Sequence, residues 1–306
     1  MTLGIYIGRF APSPSGPLHQ GSLIAALASC LDARASKGQW LVRMEDVDAP
    51  RTQPGAADTI LRQLEACGFE WDGPVLWQSQ RLDAYRYALD QLIQHKYAYP
   101  CACSRREIAD SALRAPDGSL RYPGNCRTGL PSGRVARAWR CLSDASDLHW
   151  SDAIQGEQHE KLAESVGDFV LLRADGQFAY QLAVVVDDAW QGVTHVVRGA
   201  DLLDSTGRQI HLQRLLGHPQ PAYAHLPVLT NRAGEKLSKQ TLAPALQPAH
   251  AAPALCTALS LLGQNPPADL GRASVAEVWA WASKHWQLAS VPRVRAQEDP
   301  SCPNDA

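Results

Sequence analysis

The first hundred positions alternate between two rhythms of apolar residues. Leu3–Ile7 and Gln39–Met44 (QWLVRM) are short runs of strand length. Ser22–Ser36 reads as a helix. Asp58–Cys67 and Arg81–Lys96 read as amphipathic helices, the second with Leu82, Tyr85, Leu89 and Leu92 at helical spacing. Strands separated by helices predict a parallel sheet with both faces covered. From Tyr99 to about Trp150 this rhythm lapses into a stretch rich in Cys, Pro, Gly and Arg. It resumes with strands at Phe169–Leu172, Leu182–Val186 and Thr194–Val197, a helix over Arg208–Leu216 and a strand at Leu226–Thr230. Beyond Pro244 two helices are expected near Ala254–Leu262 and Val275–Trp286. The tail after Val291 has no pattern and is expected to fray.

A chain of 306 residues, 45% of them hydrophobic, is long enough for one large or two modest domains. Its 29 basic and 31 acidic residues nearly cancel, so any nucleic-acid partner has to be met by a local basic patch. No apolar run has the length of a membrane span, and no basic-then-apolar leader opens the sequence. With eight cysteines in a well-patterned chain, a reducing cytoplasmic setting is expected, without membrane contact and as a monomer. Cys30, Cys67, Cys141, Cys256 and Cys302 are scattered and read as small buried hydrophobes or bystanders.

Two stretches carry the chemistry. Gly8–Leu23 (GRFAPSPSGPLHQGSL) leaves the first strand, turns through prolines and glycines, and sets His19 and Gly21 at a helix start. Such a start offers unpaired N–H groups and a positive dipole end to a phosphate, and a glycine lets a nucleotide approach the backbone. Taken alone it is also an ordinary strand–loop–helix. The second stretch, NRAGEKLSKQ after Leu226–Thr230, places Lys236 and Lys239 on a loop that alone reads as a solvated turn.

Together these stretches resemble the class I aminoacyl-tRNA synthetases. His19-Gln20-Gly21-Ser22 stands where that family has its HIGH motif, and Lys236-Leu237-Ser238-Lys239-Gln240 where it has KMSKS. Ser22 replaces a histidine of the motif, which puts a second imidazole contribution in doubt. RFAPSPSGPLH, LVRMEDVDAPR and THVVRGADLLDST resemble the glutamyl branch in order and spacing, so the likeness covers Ile5 to Gln240. Of the 306 residues only 66 follow Gln240, too few for a helical anticodon-reading module. The chain is therefore more similar to the truncated glutamyl-queuosine branch of the family, as are KLSKQ and SLIAALASCLDARA.

The resemblance implies an α/β, Rossmann-like catalytic core with a zinc-containing insertion and a short helical C-terminal region. The boundaries expected are 1–98 and 151–243 for the two halves of the catalytic domain, 99–150 for the insertion and 244–306 for the C-terminal region. The implied reaction is attack of the glutamate α-carboxylate on the α-phosphate of ATP, with Mg, independently of tRNA. The glutamate then goes to the queuosine base in the tRNA(Asp) anticodon. His19 and Lys239 are the implied catalytic residues, with Gly21, Ser22 and Lys236 at the ATP. Arg9, Ala11, Ser13, Glu45, Tyr180 and Arg198 are the implied glutamate pocket, since two carboxylates and an ammonium need guanidinium and an anion. A surface salt bridge to Asp201 is the plain alternative for Arg198, and a solvated acidic loop for Glu45.

Cys101, Cys103 and Cys126 lie in the insertion, where zinc can organise a segment lacking an apolar core. They make three ligands. The family places a tyrosine fourth, which maps to Tyr122, while Cys141 or His149 remain alternatives, as do plain reduced cysteines. Arg105, Arg106, Arg121, Arg127, Arg134, Arg137 and Arg140 cluster here and are the candidate surface for tRNA phosphates, or else a solvated loop. Competing functions are a minimal glutamyl-tRNA synthetase charging a 3′ end and an inactive synthetase-like module that binds RNA or zinc.

Overall fold

The computed structural model of the chain describes residues 5–114, 120–144, 147–232, 234–236 and 244–299. Its first unit runs β1 (Ile7–Phe10), α1 (Gln20–Ala35), β2 (Gln39–Met44), α2 (Ala56–Ala66), β3 (Leu76–Trp77) and α3 (Leu82–Gln94). The second comprises β4 (Ala98–Cys101), α4 (Arg105–Ser111), β5 (Leu113–Arg114), β6 (Leu120–Arg121), β7 (Ala138–Cys141), β8 (Asp147–Asp152), β9 (Gly156–Lys161), α5 (Leu162–Ser165) and β10 (Phe169–Leu172). Then follow α6 (Tyr180–Trp190), β11 (His195–Gly199), α7 (Thr206–Leu216), β12 (Ala222–Leu226), β13 (Val228–Thr230), α8 (Ala251–Leu261), α9 (Val275–His285) and β14 (Ala296–Glu298).

The expected parallel sheet is present in two sections. Strand β1 pairs with β2 and β2 with β3, all parallel. Strand β11 pairs in parallel with β12, which meets β8 at Tyr223 opposite Asp152. Thr194 ties the sections together: its N–H donates to the Ile7 carbonyl at 2.9 Å, and its hydroxyl oxygen accepts the Ile7 N–H at 2.8 Å. The carboxyl ends of β1, β2, β11 and β12 therefore face one opening, where an α/β sheet binds its ligands.

Helix α1 is buried on nearly every face, from Leu23 through Ala33. Its alanines let it pass between the sheet and the C-terminal helices, with α8 and α9 packed on it. The indole Nε1 of Trp279 donates to the Cys67 carbonyl at 2.8 Å and that of Trp286 to Asp32 at 3.1 Å. The C-terminal region is thus part of the wall of the first core rather than an appendage.

Three expectations are corrected. Leu182–Val186 is not a strand but the middle of α6, buried continuously from Gln181 to Asp188. Five consecutive apolar residues have no period to separate strand from buried helix, and tertiary packing overrides the β-branched preference. The strand expected at Leu226–Thr230 is broken at Pro227 into the ends of β12 and β13, since proline has no N–H for the ladder. The tail does not fray at Val291: Ala296–Glu298 pairs in parallel with Val228–Thr230, and Asp299 N–H donates to the Thr230 carbonyl at 2.9 Å.

The irregular insertion has its own antiparallel sheet, ordered β10-β7-β4. The sheet is completed by Phe169–Leu172, past the boundary expected at 150, whereas β8 before that boundary pairs with β12 and β9. Among the described residues no helix is long and apolar enough to cross a membrane.

Candidate active site

A cleft of about 870 Å³ opens at the carboxyl ends of the parallel strands. Arg9, Ala11, Ser13, His19, Gly21, Ser22, Glu45, Tyr180, Arg198 and Lys236 all line it. Lys239, with Leu237, Ser238 and Gln240, lies outside the described residues.

Strands, helix starts and two loops, with Ser13 after β1 and Lys236 after β13, deliver these residues. Arg9 is in β1 and Glu45 directly follows β2, where its N–H donates to the Pro12 carbonyl at 3.0 Å. Tyr180 opens α6, Arg198 lies in β11, and His19 is the N-cap of α1. First-turn amides have no partner inside their own helix, and Gly21 and Ser22 bring that turn to the cleft wall. A Cβ on Gly21 would stand 3.1 Å from the His19 ring, so the glycine gives the imidazole its place. The loop is clasped from outside by Gln63. Its amide oxygen accepts the Leu18 N–H at 2.7 Å and its amide nitrogen donates to the Leu246 carbonyl at 2.8 Å.

Behind the cleft lies a buried charge network. Asp188 Oδ1 meets Arg9 Nε at 3.3 Å and Arg43 Nη1 at 2.7 Å, and Arg43 Nη2 reaches Glu45 at 3.3 Å. Burial raises the Asp188 carboxyl, but Arg43 and Arg9 outweigh it and hold it below the ordinary range. Glu45 is shifted upward, because its burial outweighs the pull of Arg43 and Arg9. A cation entering the cleft beside Glu45 would favour its ionised form.

Arg198 is buried, which sets aside the surface salt bridge to Asp201. Asp201 instead pairs with Lys236 at 2.6 Å. Arg198 donates to His225 Nε2 at 3.0 Å and to the Thr206 hydroxyl at 3.0 Å, with Tyr180 Oη at 3.5 Å. His225 in turn faces Asp152 at 2.5 Å. Burial lowers the His225 pKa to about 4, the Asp152 bond restoring part and Arg198 lowering it further.

His225 is therefore neutral when folded but protonates at ordinary acidity when unfolded, from its usual 6.5. The stability that His225 contributes is complete above about pH 6.5 and is expected to fall by roughly 3 kcal/mol as the pH drops to about 4. Urea unfolding at pH 7.5, 6 and 4.5 checks this, and His225→Gln is expected to flatten the slope over that window.

In the insertion, Cys101, Cys103 and Cys126 turn their sulfurs within 4.8 Å of one another. The Tyr122 hydroxyl stands 3.4 Å from Cys101 Sγ and 3.4 Å from Cys103 Sγ, and Cys103 Sγ is 3.6 Å from Cys126 Sγ. The Arg140 guanidinium covers the Tyr122 ring at 3.9 Å. Cys141 and His149 do not join this group. The Cys141 thiol contacts the Leu142 carbonyl, and His149 lies on the exposed face of β8 opposite His159, beside Asp147.

Residues 7–251 match the family described as tRNA synthetases class I (E and Q), catalytic domain. The chain is 63% identical to glutamyl-Q tRNA(Asp) synthetase of Aromatoleum aromaticum, over 97% of this chain and 97% of the relative. It is 64% identical to the glutamyl-Q tRNA(Asp) synthetase of Dechloromonas aromatica, over 94% and 96%. The chain belongs to the glutamyl-Q tRNA(Asp) synthetase family. Its fold is that of the glutamate-tRNA synthetase from Elizabethkingia anophelis, with a TM-score of 0.79 at 24% identity over 97% of this chain and 68% of that one.

Sequence reasoning missed several residues of this site: Arg43, Gln63, Asp152, Asp188 and His225. A usable signal existed for some of them. Arg43 interrupts the apolar run of β2, Asp188 follows the apolar run of α6, and His225 sits inside β12, and charge in a buried element has to be paired. The candidate RNA surface of the insertion is also narrower than its arginine count suggests. Arg127 grips the buried Asp168 through Nε and Nη2 at 2.5 and 2.6 Å, and Arg134 is engaged with Glu107 at 2.6 Å. Arg121 donates to the Ala163 carbonyl and Arg140 to that of Asp168. Arg105, Arg106 and Arg137 line a second cavity of about 660 Å³ together with Arg173.

Proposed function

We propose that this chain activates L-glutamate with ATP and Mg, without tRNA, and transfers the glutamyl group to the queuosine base of the tRNA(Asp) anticodon. The observation that carries this reading is one cleft shared by Arg9, Glu45 and Arg198 on strands and strand ends, by His19 and Gly21 at a helix start, and by Lys236 from the loop after β13. The names of the relatives, at 63% and 64% identity along nearly the whole chain, support the acceptor.

In the first step an α-carboxylate oxygen of glutamate attacks the α-phosphorus of ATP. The bond to the bridging oxygen breaks, and pyrophosphate leaves with the electron pair. In the second step a nucleophile on the queuosine base attacks the acyl carbon and AMP departs. Such transfers ask the protein chiefly for position and charge neutralisation. His19, the first-turn amides of α1 with Ser22, Lys236 and Lys239 neutralise the phosphates. Arg9 and Arg198 take the carboxylates, Glu45 the ammonium, and Ala11, Ser13 and Tyr180 complete the polar wall. Arg105, Arg106 and Arg137 are placed in this reading against RNA phosphates.

Cys101, Cys103, Tyr122 and Cys126 are the proposed ligands of one structural zinc ion. The fit is geometric: two thiolates at 2.3 Å from a tetrahedral ion stand about 3.8 Å apart, close to the 3.6 Å between Cys103 and Cys126. The ion would organise the insertion and take no part in adenylation. Purified protein is expected to carry about one zinc per chain, and Cys101→Ser or Cys126→Ser to lose most of it by elemental analysis. A near-zero content unaltered by the substitutions would overturn the assignment. The unpaired thiols suit a reducing, cytoplasmic setting.

The deciding experiment is ATP–pyrophosphate exchange with glutamate and no RNA, where exchange is expected and its absence would end this reading. Labelled glutamate is then offered to tRNA(Asp) with and without queuosine. Labelling that ignores the modification would favour charging of a 3′ end instead.

A further inference from the structure

Arg198 is held from behind by a neutral imidazole whose proton position is set by a buried carboxylate. The side chains of His225 and Asp152 have no exposed surface. Arg198 Nε donates to His225 Nε2 at 3.0 Å, and a guanidinium has no capacity to accept. That ring nitrogen must therefore be the acceptor, and the ring proton sits on Nδ1, 2.5 Å from Asp152 Oδ2. The other oxygen, Oδ1, accepts the backbone N–H groups of Ile154 at 3.1 Å, Gln155 at 2.9 Å and His225 itself at 3.1 Å.

We propose that Asp152 is a positioning residue for glutamate recognition: it fixes the Nδ1–H tautomer of His225, and the Nε2 lone pair so exposed orients Arg198 in the cleft. The inference rests on the reading that Arg198 takes a glutamate carboxylate. Arg198 has further restraints at Thr206 and the Leu202 carbonyl (3.3 Å) through Nη2 and at Tyr180 Oη (3.5 Å) through Nη1, all at the far end of the fork. His225 is the partner of Nε, so it sets the plane of the guanidinium.

The arrangement makes a sharp prediction for Asp152→Asn, a change that preserves shape. The Asn oxygen stays beneath the three backbone N–H groups, because only an acceptor fits there. Its amide NH₂ then faces Nδ1, which has to become the acceptor, and the ring proton moves to Nε2. Two donors then confront each other at 3.0 Å, the new ring proton turns to the Thr206 hydroxyl oxygen 3.3 Å away, and Arg198 turns away. Nitrogen-15 spectra of histidine-labelled protein are expected to show the His225 tautomer reversed. In exchange assays the KM for glutamate is expected to rise about tenfold or more, with the KM for ATP within about twofold of wild type.

Adding His225→Gln to Asp152→Asn is expected to recover part of the glutamate affinity. A Gln amide oxygen can accept from Arg198 without a tautomer to fix, and loss of mere scaffolding would not be repaired this way. The proposal fails if the tautomer is the same in both proteins, or if it reverses and the glutamate KM does not move. Failure of the functional reading is separate, and appears as no glutamate-dependent exchange by the wild type. The tautomer measurement needs no substrate and still decides the first half of the inference.

Discussion

Asp188→Ala is expected to lower the unfolding free energy by about 3–5 kcal/mol, the scale for removing one partner of a buried ion pair. The size follows from what is left behind. Arg43 has no exposed side-chain surface and, among the described residues, keeps Glu45 at 3.3 Å and the Gln191 amide oxygen at 2.7 Å, with Asp187 acting at longer range. Arg9 loses its direct carboxylate pair and is left with the longer-range attraction of Glu45. Two guanidinium groups would then share the single Glu45 carboxylate at the buried wall of the cleft. Natural domains are stable by only about 5–15 kcal/mol, so this is a large fraction of the whole. Urea unfolding should show a lower midpoint with an unchanged slope. Asp188→Asn, which keeps an acceptor but not the charge, should fall between the two. A loss under about 1 kcal/mol for the alanine variant would mean that solvent reaches this network.

His19→Ala is expected to reduce the turnover of glutamate-dependent exchange by ~10²-fold or more while leaving the KM for glutamate near its wild-type value. The imidazole is at the N-cap of α1, over Gly21, on the wall where the first-turn amides meet the cleft. Arg9, Glu45 and Arg198 sit on strand ends and are untouched by the change. An interaction that grows as charge develops on the phosphates is lost from the rate, not from amino-acid binding. A raised glutamate KM with full turnover would place His19 in the amino-acid pocket instead.

How much of this could be read beforehand depended on the range of the interaction. Gln39–Met44 and Phe169–Leu172 have the bounds that were expected, because each is a short apolar run ended by polar or turn residues. The loop from Gly8 to Leu23 was legible as well, since its prolines, glycines and histidine lie together in the sequence. Leu182–Val186 was misread because its burial comes from packing on both sides, which no local period reports. Asp188 and Arg43 are 145 positions apart and Asp152 and His225 are 73 apart, so no spacing rule joins them. Within the insertion the three cysteines were visible. The approach of Tyr122 to their sulfurs depends on the turn of chain between them, and from the sequence it was available only through the family resemblance.

The Gln63 clasp bears on the order in which the enzyme takes shape. It joins Leu18 to Leu246, and Gln20 reaches across to the Ala254 carbonyl at 3.0 Å. The contacts span 183 and 234 positions of chain. Closing such long loops is what slows folding, and synthesis proceeds at about 5–20 residues per second. A ribosome that has just released Gln63 therefore needs about 10–40 s to supply the partner segment. During that interval the histidine loop lacks its outer clasp, so the earliest recognisable motif in the chain is among the last to be held in its final place.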